Sequence, residues 1–139
     1  MEGTALRPPL ESLQVQEMGK TILIIEDNKD NSDLVRYLMT SVGFEVLTAM
    51  DGPKGLVLAA EHLPDLIVLD LTMPDMNGWE VAEQLRANPK TAEIPIMIFT
   101  ALSDSENRRR GEEIGAVGYV TKPIDNIAGF AEQIKEILS

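Results

Sequence analysis

The chain contains no cysteine. A disulfide framework, a thiolate metal site and a cysteine nucleophile are therefore excluded, and the composition suits a reducing compartment. Long apolar runs are missing too: none approaches the roughly 20 residues needed to cross a bilayer as a helix. The amino terminus, MEGTALRPPLESLQVQEMG, lacks the basic-then-apolar order of a secretory signal. Positive charge is short, with 12 basic against 23 acidic side chains and a formal net charge of -11. Such a surface repels phosphate backbones and anionic lipid, which argues against direct nucleic-acid or membrane binding. A soluble cytoplasmic protein is the default expectation.

What is present points to a folded module. Hydrophobic residues make up 44% of 139 residues, enough for one domain with a real core. The opening stretch carries Pro8, Pro9 and only scattered apolar residues. We expect residues 1–19 to form a flexible extension, native or added by cloning, and residues 20–139 to form the domain.

Short β-branched runs recur at 21–25 (TILII), 44–49 (FEVLTA), 65–70 (DLIVLD), 94–100 (IPIMIFT) and 117–121 (VGYVT). Three of them are nearly continuous in apolar residues, as strands covered on both faces should be. Helical patterns lie between. Leu34, Val35, Leu38 and Val42 mark a first helix closed by Gly43; Leu56, Ala60 and Leu63 mark a second opened by Gly52-Pro53. Val81, Ala82 and Leu85 mark a third. The fourth, over about 104–114, has little apolar stripe beyond Ile114, and its Arg108, Arg109 and Arg110 read first as a solvated face and second as a partner contact. Ile127, Phe130, Ile134, Ile137 and Leu138 mark the last. Five strands alternating with five helices predict an α/β fold with a parallel sheet covered on both sides.

In open sheets of this kind ligands sit beyond the carboxyl ends of the strands. Chemistry-bearing residues stand at four of those ends: Glu26-Asp27 after the first strand, Asp70 after the third, Thr100 at the fourth, and Lys122-Pro123 after the fifth. Each alone reads as an ordinary turn or strand residue. Their recurrence at four expected strand ends favours a shared site.

As a set, IIEDNKDN, VLDLTMPDMNG, FTA and YVTKPI closely resemble the receiver domain of two-component response regulators, over residues 20–138. The resemblance implies a flavodoxin-like (βα)5 doubly wound sheet with strand order 2-1-3-4-5, an order that chemotaxis receivers of this family exemplify. It implies that Asp70 accepts a phosphoryl group from a phosphohistidine on a sensor kinase or histidine phosphotransfer protein. Mg2+ would be held by Glu26, Asp27, Asp70 and the backbone carbonyl of Thr72, with Thr100 and Lys122 contacting the phosphoryl oxygens. It further implies a cis Lys122-Pro123 bond, and a switch in which Thr100 and Tyr119 move together and remodel a face made by the fourth helix, fifth strand and fifth helix for a protein effector. Thr72 and Leu102 flank the phosphoryl site, and the apolar Leu102 is expected to slow its hydrolysis.

Beyond catalysing its own phosphorylation and autodephosphorylation, such a domain is not an enzyme. A phosphorelay shuttle and an excised module of a larger regulator or hybrid kinase remain open as roles. A haloacid-dehalogenase-type phosphatase would need a second aspartate two residues after Asp70, where Thr72 stands. A flavodoxin-like carrier would need a Ser/Thr-rich loop in place of the acidic EDNKDN. His62, the only histidine, is not placed to donate a phosphoryl group, and Trp79 reads as a packing residue.

Overall fold

The computed structural model describes residues 19–139. Apart from Gly19, the extension expected over 1–19 lies outside the described residues. Five strands follow the expected order along the chain: β1 (Thr21–Ile25), β2 (Glu45–Ala49), β3 (Leu66–Leu69), β4 (Ile96–Thr100) and β5 (Gly118–Thr121). All four ladders are parallel, and the sheet order is β2-β1-β3-β4-β5. The three Ile/Leu/Val-rich strands occupy the centre and are buried almost throughout, whereas β2 and β5 form the half-covered edges. This is the outcome expected when helical crossovers cover both faces of a parallel sheet.

The helices are α1 (Lys29–Ser41), α2 (Gly52–His62), α3 (Gly78–Ala87), α4 (Ser105–Glu113) and α5 (Ile127–Leu138). Each opens on an Asn or Asp whose side chain accepts a first-turn backbone N–H: Asn28, Asp51, Asn77, Asp104 and Asn126. Such caps stabilise a helix by about 1 kcal/mol each and set where it begins. Pro53 sits in the first turn of α2, and Gly43 closes α1 at φ +100°, both as expected.

Side chains alternate across the sheet into two cores. On one face Leu23, Ile25, Ile67, Leu69, Ile96 and Ile98 meet α2 and α3. On the other Ile22, Ile24, Leu66, Val68, Met97 and Phe99 meet Val35 and Met39 of α1 and Phe130, Ile134 and Leu138 of α5. Several helix stripes differ from expectation by one position. Leu34 is exposed and Met39 takes the buried place; Ile127 is 49% exposed at the solvent-facing start of α5. The largest departure is α2, which buries Gly52, Gly55 and Ala59 while Leu56 is half-buried and Leu63 is an exposed cap at φ 47°. Close approach explains it: a Cβ on Gly55 would stand 2.6 Å from Ile25 Cδ1. A counting rule that looks for large apolar residues misses a face chosen for being small.

Candidate functional site

The parallel register lines up the strand ends. Ile25 pairs with Leu69, Leu69 with Ile98, and Ile98 with Tyr119. One residue further on, Asp70 N–H still donates to the Ile25 carbonyl at 3.0 Å and Glu26 N–H to the Ala49 carbonyl at 3.0 Å. Glu26 and Asp70 are therefore neighbours by the extension of a regular ladder. Both are buried, at 1% and 2% exposure. Carboxylate oxygens of Glu26, Asp27 and Asp70 all lie within 4.8 Å of one another, and Asp27 keeps access to solvent.

Lys122 joins them from the far edge. Its Nζ stands 2.7 Å from Glu26 Oε1 and 3.2 Å from Asp70 Oδ2, and 5.1 Å from the centroid of the Phe99 ring. The backbone supports this reach, since Lys122 N–H donates to the Thr100 carbonyl at 2.8 Å. The Lys122-Pro123 bond is cis, as the resemblance implied.

Charge is incompletely balanced. Three carboxylates face one ammonium, and two carboxylates about 5 Å apart repel by roughly 3 kcal/mol at an effective dielectric near 20. Burial pushes the Glu26 carboxyl up to about 6; the Lys122 ammonium and the Asn28 amide pull it down, and Asp70 adds to the rise. Glu26 Oε2 accepts the Asn28 N–H at 3.0 Å. Its Oε1 faces Lys122 Nζ at 2.7 Å as an ion pair and has no further partner among the described residues. A buried carboxylate oxygen whose one partner is an ammonium shared with Asp70 leaves room in its shell for a second cation. Mg2+ takes oxygen ligands at about 2.1 Å, so oxygens facing each other across it stand about 4.2 Å apart. The donor set is hard, all-oxygen and closely spaced, and it fits such an ion.

The remaining residues fall around this cluster. Asp70 Oδ1 accepts both the Thr72 N–H at 3.2 Å and the Thr72 hydroxyl at 3.4 Å. Thr100 is fully buried at the end of β4, opposite Thr121. By strand alternation Thr100 and Tyr119 share the phase of the α2/α3 face, whereas Glu26, Asp70 and Lys122 share that of Phe99. Tyr119 is half-buried; its hydroxyl donates to the Leu102 carbonyl, and burial raises its phenol above the usual value. Leu102 packs against the first core cluster. His62 is exposed in the last turn of α2 and is not among the clustered groups.

Three features escaped the sequence reading. Gly78 is needed because a Cβ there would lie 2.4 Å from the Asp70 carbonyl oxygen and 2.6 Å from Leu71 Cα. The available signal was Asn77-Gly78 with Glu80 three residues after Asn77, a capping box that fixes the start of α3 beside Asp70. Asn28 was read as part of an acidic loop and turns out to hold Glu26 through its amide. The arginine triplet is largely exposed, as a solvated face should be, but its members also make contacts the sequence did not indicate. Arg108 lies over the Tyr119 ring at 4.8 Å and Arg110 over the Trp79 ring at 4.7 Å, while only Arg109 pairs with surface acids, Glu106 and Glu113. Trp79, 7% exposed, packs in the core as expected and also donates its indole N–H to Asn107 Oδ1 at 2.8 Å.

Comparison with known proteins matches residues 22–133 to the family described as response regulator receiver domain. The response regulator PleD of Caulobacter vibrioides is 43% identical over 114 residues, which are 82% of this chain and 25% of PleD. The chain thus spans about a quarter of that relative's length. The polar-differentiation response regulator DivK of Brucella anthropi is 36% identical over 121 residues, 87% of this chain and 98% of DivK. Among solved structures, the chemotaxis protein CheY4 of Vibrio cholerae superposes with a TM-score of 0.80 at 28% identity, covering 86% of this chain and 99% of that one. The receiver domain of a signal transduction histidine kinase from Syntrophus aciditrophicus gives 0.77 at 28% identity, with 86% and 90% covered.

Proposed function

The chain belongs to the response regulator receiver domain family, and from that premise we propose that it is a phosphoacceptor module in which Asp70 takes a phosphoryl group from a phosphohistidine. Receiver domains are signalling modules rather than classical enzymes, and they generally bind Mg2+ through acidic residues. The observation that carries the reading is the meeting of Glu26, Asp27 and Asp70 within 4.8 Å, with Lys122 Nζ 3.2 Å from Asp70 Oδ2.

Each side chain has a defined part in this reading. The Asp70 carboxylate forms the new O–P bond as the donor's N–P bond breaks, and the electron pair returns to the departing imidazole. A carboxylate is a weak nucleophile, so orientation matters: the Thr72 N–H and hydroxyl on Oδ1 and Lys122 on Oδ2 hold its plane. Lys122 then pairs with a phosphoryl oxygen, and the Thr100 hydroxyl donates to another. Glu26, Asp27, Asp70 and the Thr72 carbonyl would hold Mg2+, which supplies charge neutralisation for the transferring group. Thr100 and Tyr119 act as the switch pair, and α4, β5 and α5 present the altered surface to a protein effector. We assign this role to residues 20–139, with a histidine kinase or histidine phosphotransfer protein as donor and the cytoplasm as the compartment. No described helix is long and apolar enough to cross a membrane.

Intact-mass analysis after incubation with acetyl phosphate and Mg2+ tests the reading. Wild type should gain the mass of one phosphoryl group, and Asp70→Asn should gain none. Labelling of the Asp70→Asn variant to the wild-type extent would refute it. The phosphatase alternative is disfavoured at the atomic level, because the group two residues after Asp70 is a hydroxyl bonded to Asp70 itself rather than an acid facing a leaving group.

A further inference from the structure

Apolar packing does little to hold α4: of its nine residues only Gly111 is buried. Polar side chains fasten it instead: Asn107 and Arg110 meet Trp79, and Arg108 meets Tyr119. The Arg108 guanidinium lies 4.8 Å from the Tyr119 ring centroid. The same side chain donates through Nη2 to Thr121 Oγ1 at 3.0 Å and through Nε to the Ser103 carbonyl at 3.3 Å. It therefore bridges the loop after β4 to the end of β5 while covering the ring between them. The Tyr119 hydroxyl is anchored on the Leu102 carbonyl. Gly111 clears room for the ring, since a Cβ there would stand 3.2 Å from Tyr119 Cδ2.

We propose that Arg108 is a positioning residue that clasps Tyr119 in its inward place before any phosphoryl group arrives, so that the α4–β5 surface is largely formed in the resting chain. The proposal rests on the reading of Thr100 and Tyr119 as a switch pair. A guanidinium suits the task because its plane stacks on the ring while its edge donates to oxygens on either side, which an ammonium cannot do. The clasp enlarges the resting population of the inward state. By linkage, a phosphoryl mimic that favours that state binds more tightly by the same factor. Arg110 fastens the same helix to a different ring, that of Trp79, and serves as the internal control.

The two tyrosines make the test direct, because Tyr37 on α1 is 70% exposed and gives a solvent-facing reference in the same molecule. With ring-labelled tyrosine, a soluble paramagnetic probe reports each ring's accessibility by NMR. In metal-free wild type Tyr119 should be protected relative to Tyr37. In Arg108→Gln its protection should drop toward the Tyr37 value, Arg110→Gln should leave it unchanged, and beryllofluoride with Mg2+ should restore it. The mimic should bind the Arg108→Gln variant about tenfold more weakly than wild type. Thr121→Val, which removes one anchor and leaves the arginine in place, should show the same change at smaller amplitude and stands in if Arg108→Gln does not fold. Equal protection of Tyr119 in wild type and Arg108→Gln, or an accessible Tyr119 in resting wild type, would overturn the proposal. If Tyr119 is released in the variant but neither protein binds beryllofluoride with Mg2+, the clasp stands and the assignment of Asp70 fails.

Discussion

Two neighbouring helices on one face of the sheet are held by opposite means. α3 buries Gly78, Trp79, Val81, Ala82 and Leu85 in the larger core cluster. α4 buries Gly111 alone and depends on Asn107, Arg108 and Arg110 reaching out to Trp79, Tyr119, Thr121 and the Ser103 carbonyl. Apolar burial is lost in full when a helix moves, at about 25 cal/mol for each Å² re-exposed. A solvent-accessible hydrogen bond or cation–π contact can be traded for water at a net cost of about 1 kcal/mol. The same fold thus contains a fixed helix beside Asp70 and an inexpensive one to shift beside Tyr119. That contrast is what a receiver needs if its acceptor is to stay rigid while its surface changes.

Substitutions can break the contrast, and the largest effect is expected where α3 begins. Gly78→Ala would press a methyl into the Asp70–Leu71 backbone, which cannot yield as a flexible side chain can. A loss of about 3 kcal/mol or more in urea unfolding is expected, together with loss of phosphoryl uptake by Asp70. Leu85→Ala, at a residue 1% exposed, should cost about 2–5 kcal/mol through lost burial and the cavity left behind. On the α4 side, Asn107→Ala removes the partner of the Trp79 indole N–H and an exposed hydrogen bond to Asp104 Oδ1 and should cost about 1 kcal/mol. If it matched Leu85→Ala, α4 would be as firmly built as α3 and the contrast would fail. Arg109→Ala touches only exposed pairs with Glu106 and Glu113, and no measurable shift of the urea midpoint is expected.

The carboxylate cluster at the strand ends adds a test through pH, with an effect between those of Leu85→Ala and Asn107→Ala. Glu26 is raised from 4.5 to about 6, chiefly by burial. The folded protein therefore keeps this proton over a range where the unfolded chain has lost it. The stability it contributes is present below pH 4.5, falls as pH rises, and is gone above about 6, a change on the order of 2 kcal/mol. Urea unfolding in chelator from pH 4.5 to 6.5 should show this fall in wild type relative to Glu26→Gln. Parallel curves for the two proteins would show that burial of Glu26 carries no such cost.

The fold was legible in the chain to an unusual degree, because β-branched runs and capped helical stretches are local patterns. All five strands were located to within two residues, and the central three were recognisable by their unbroken apolar character. The helix faces were read less well. α2 turns glycine and alanine toward the sheet, and close packing of small residues leaves no hydrophobic signature. The rim residues could be picked out by type and by position at strand ends. Which of them touch could not: that Lys122 lies nearer Glu26 than Asp70 depends on the stagger of β5 against β4 and the reach of each side chain.

Residue types and their spacing were sufficient for the alternation of strands and helices, the parallel sheet and the chemistry gathered along one edge, since each follows from short-range propensity and burial. The partners of the charged side chains were decided only by folding. Arg108, Arg109 and Arg110 are three identical letters in a row, yet one covers a tyrosine, one pairs with surface acids and one covers a tryptophan. A helix turns each successive residue by about 100°, so the surface each arginine meets is set by what the rest of the chain has packed beside it.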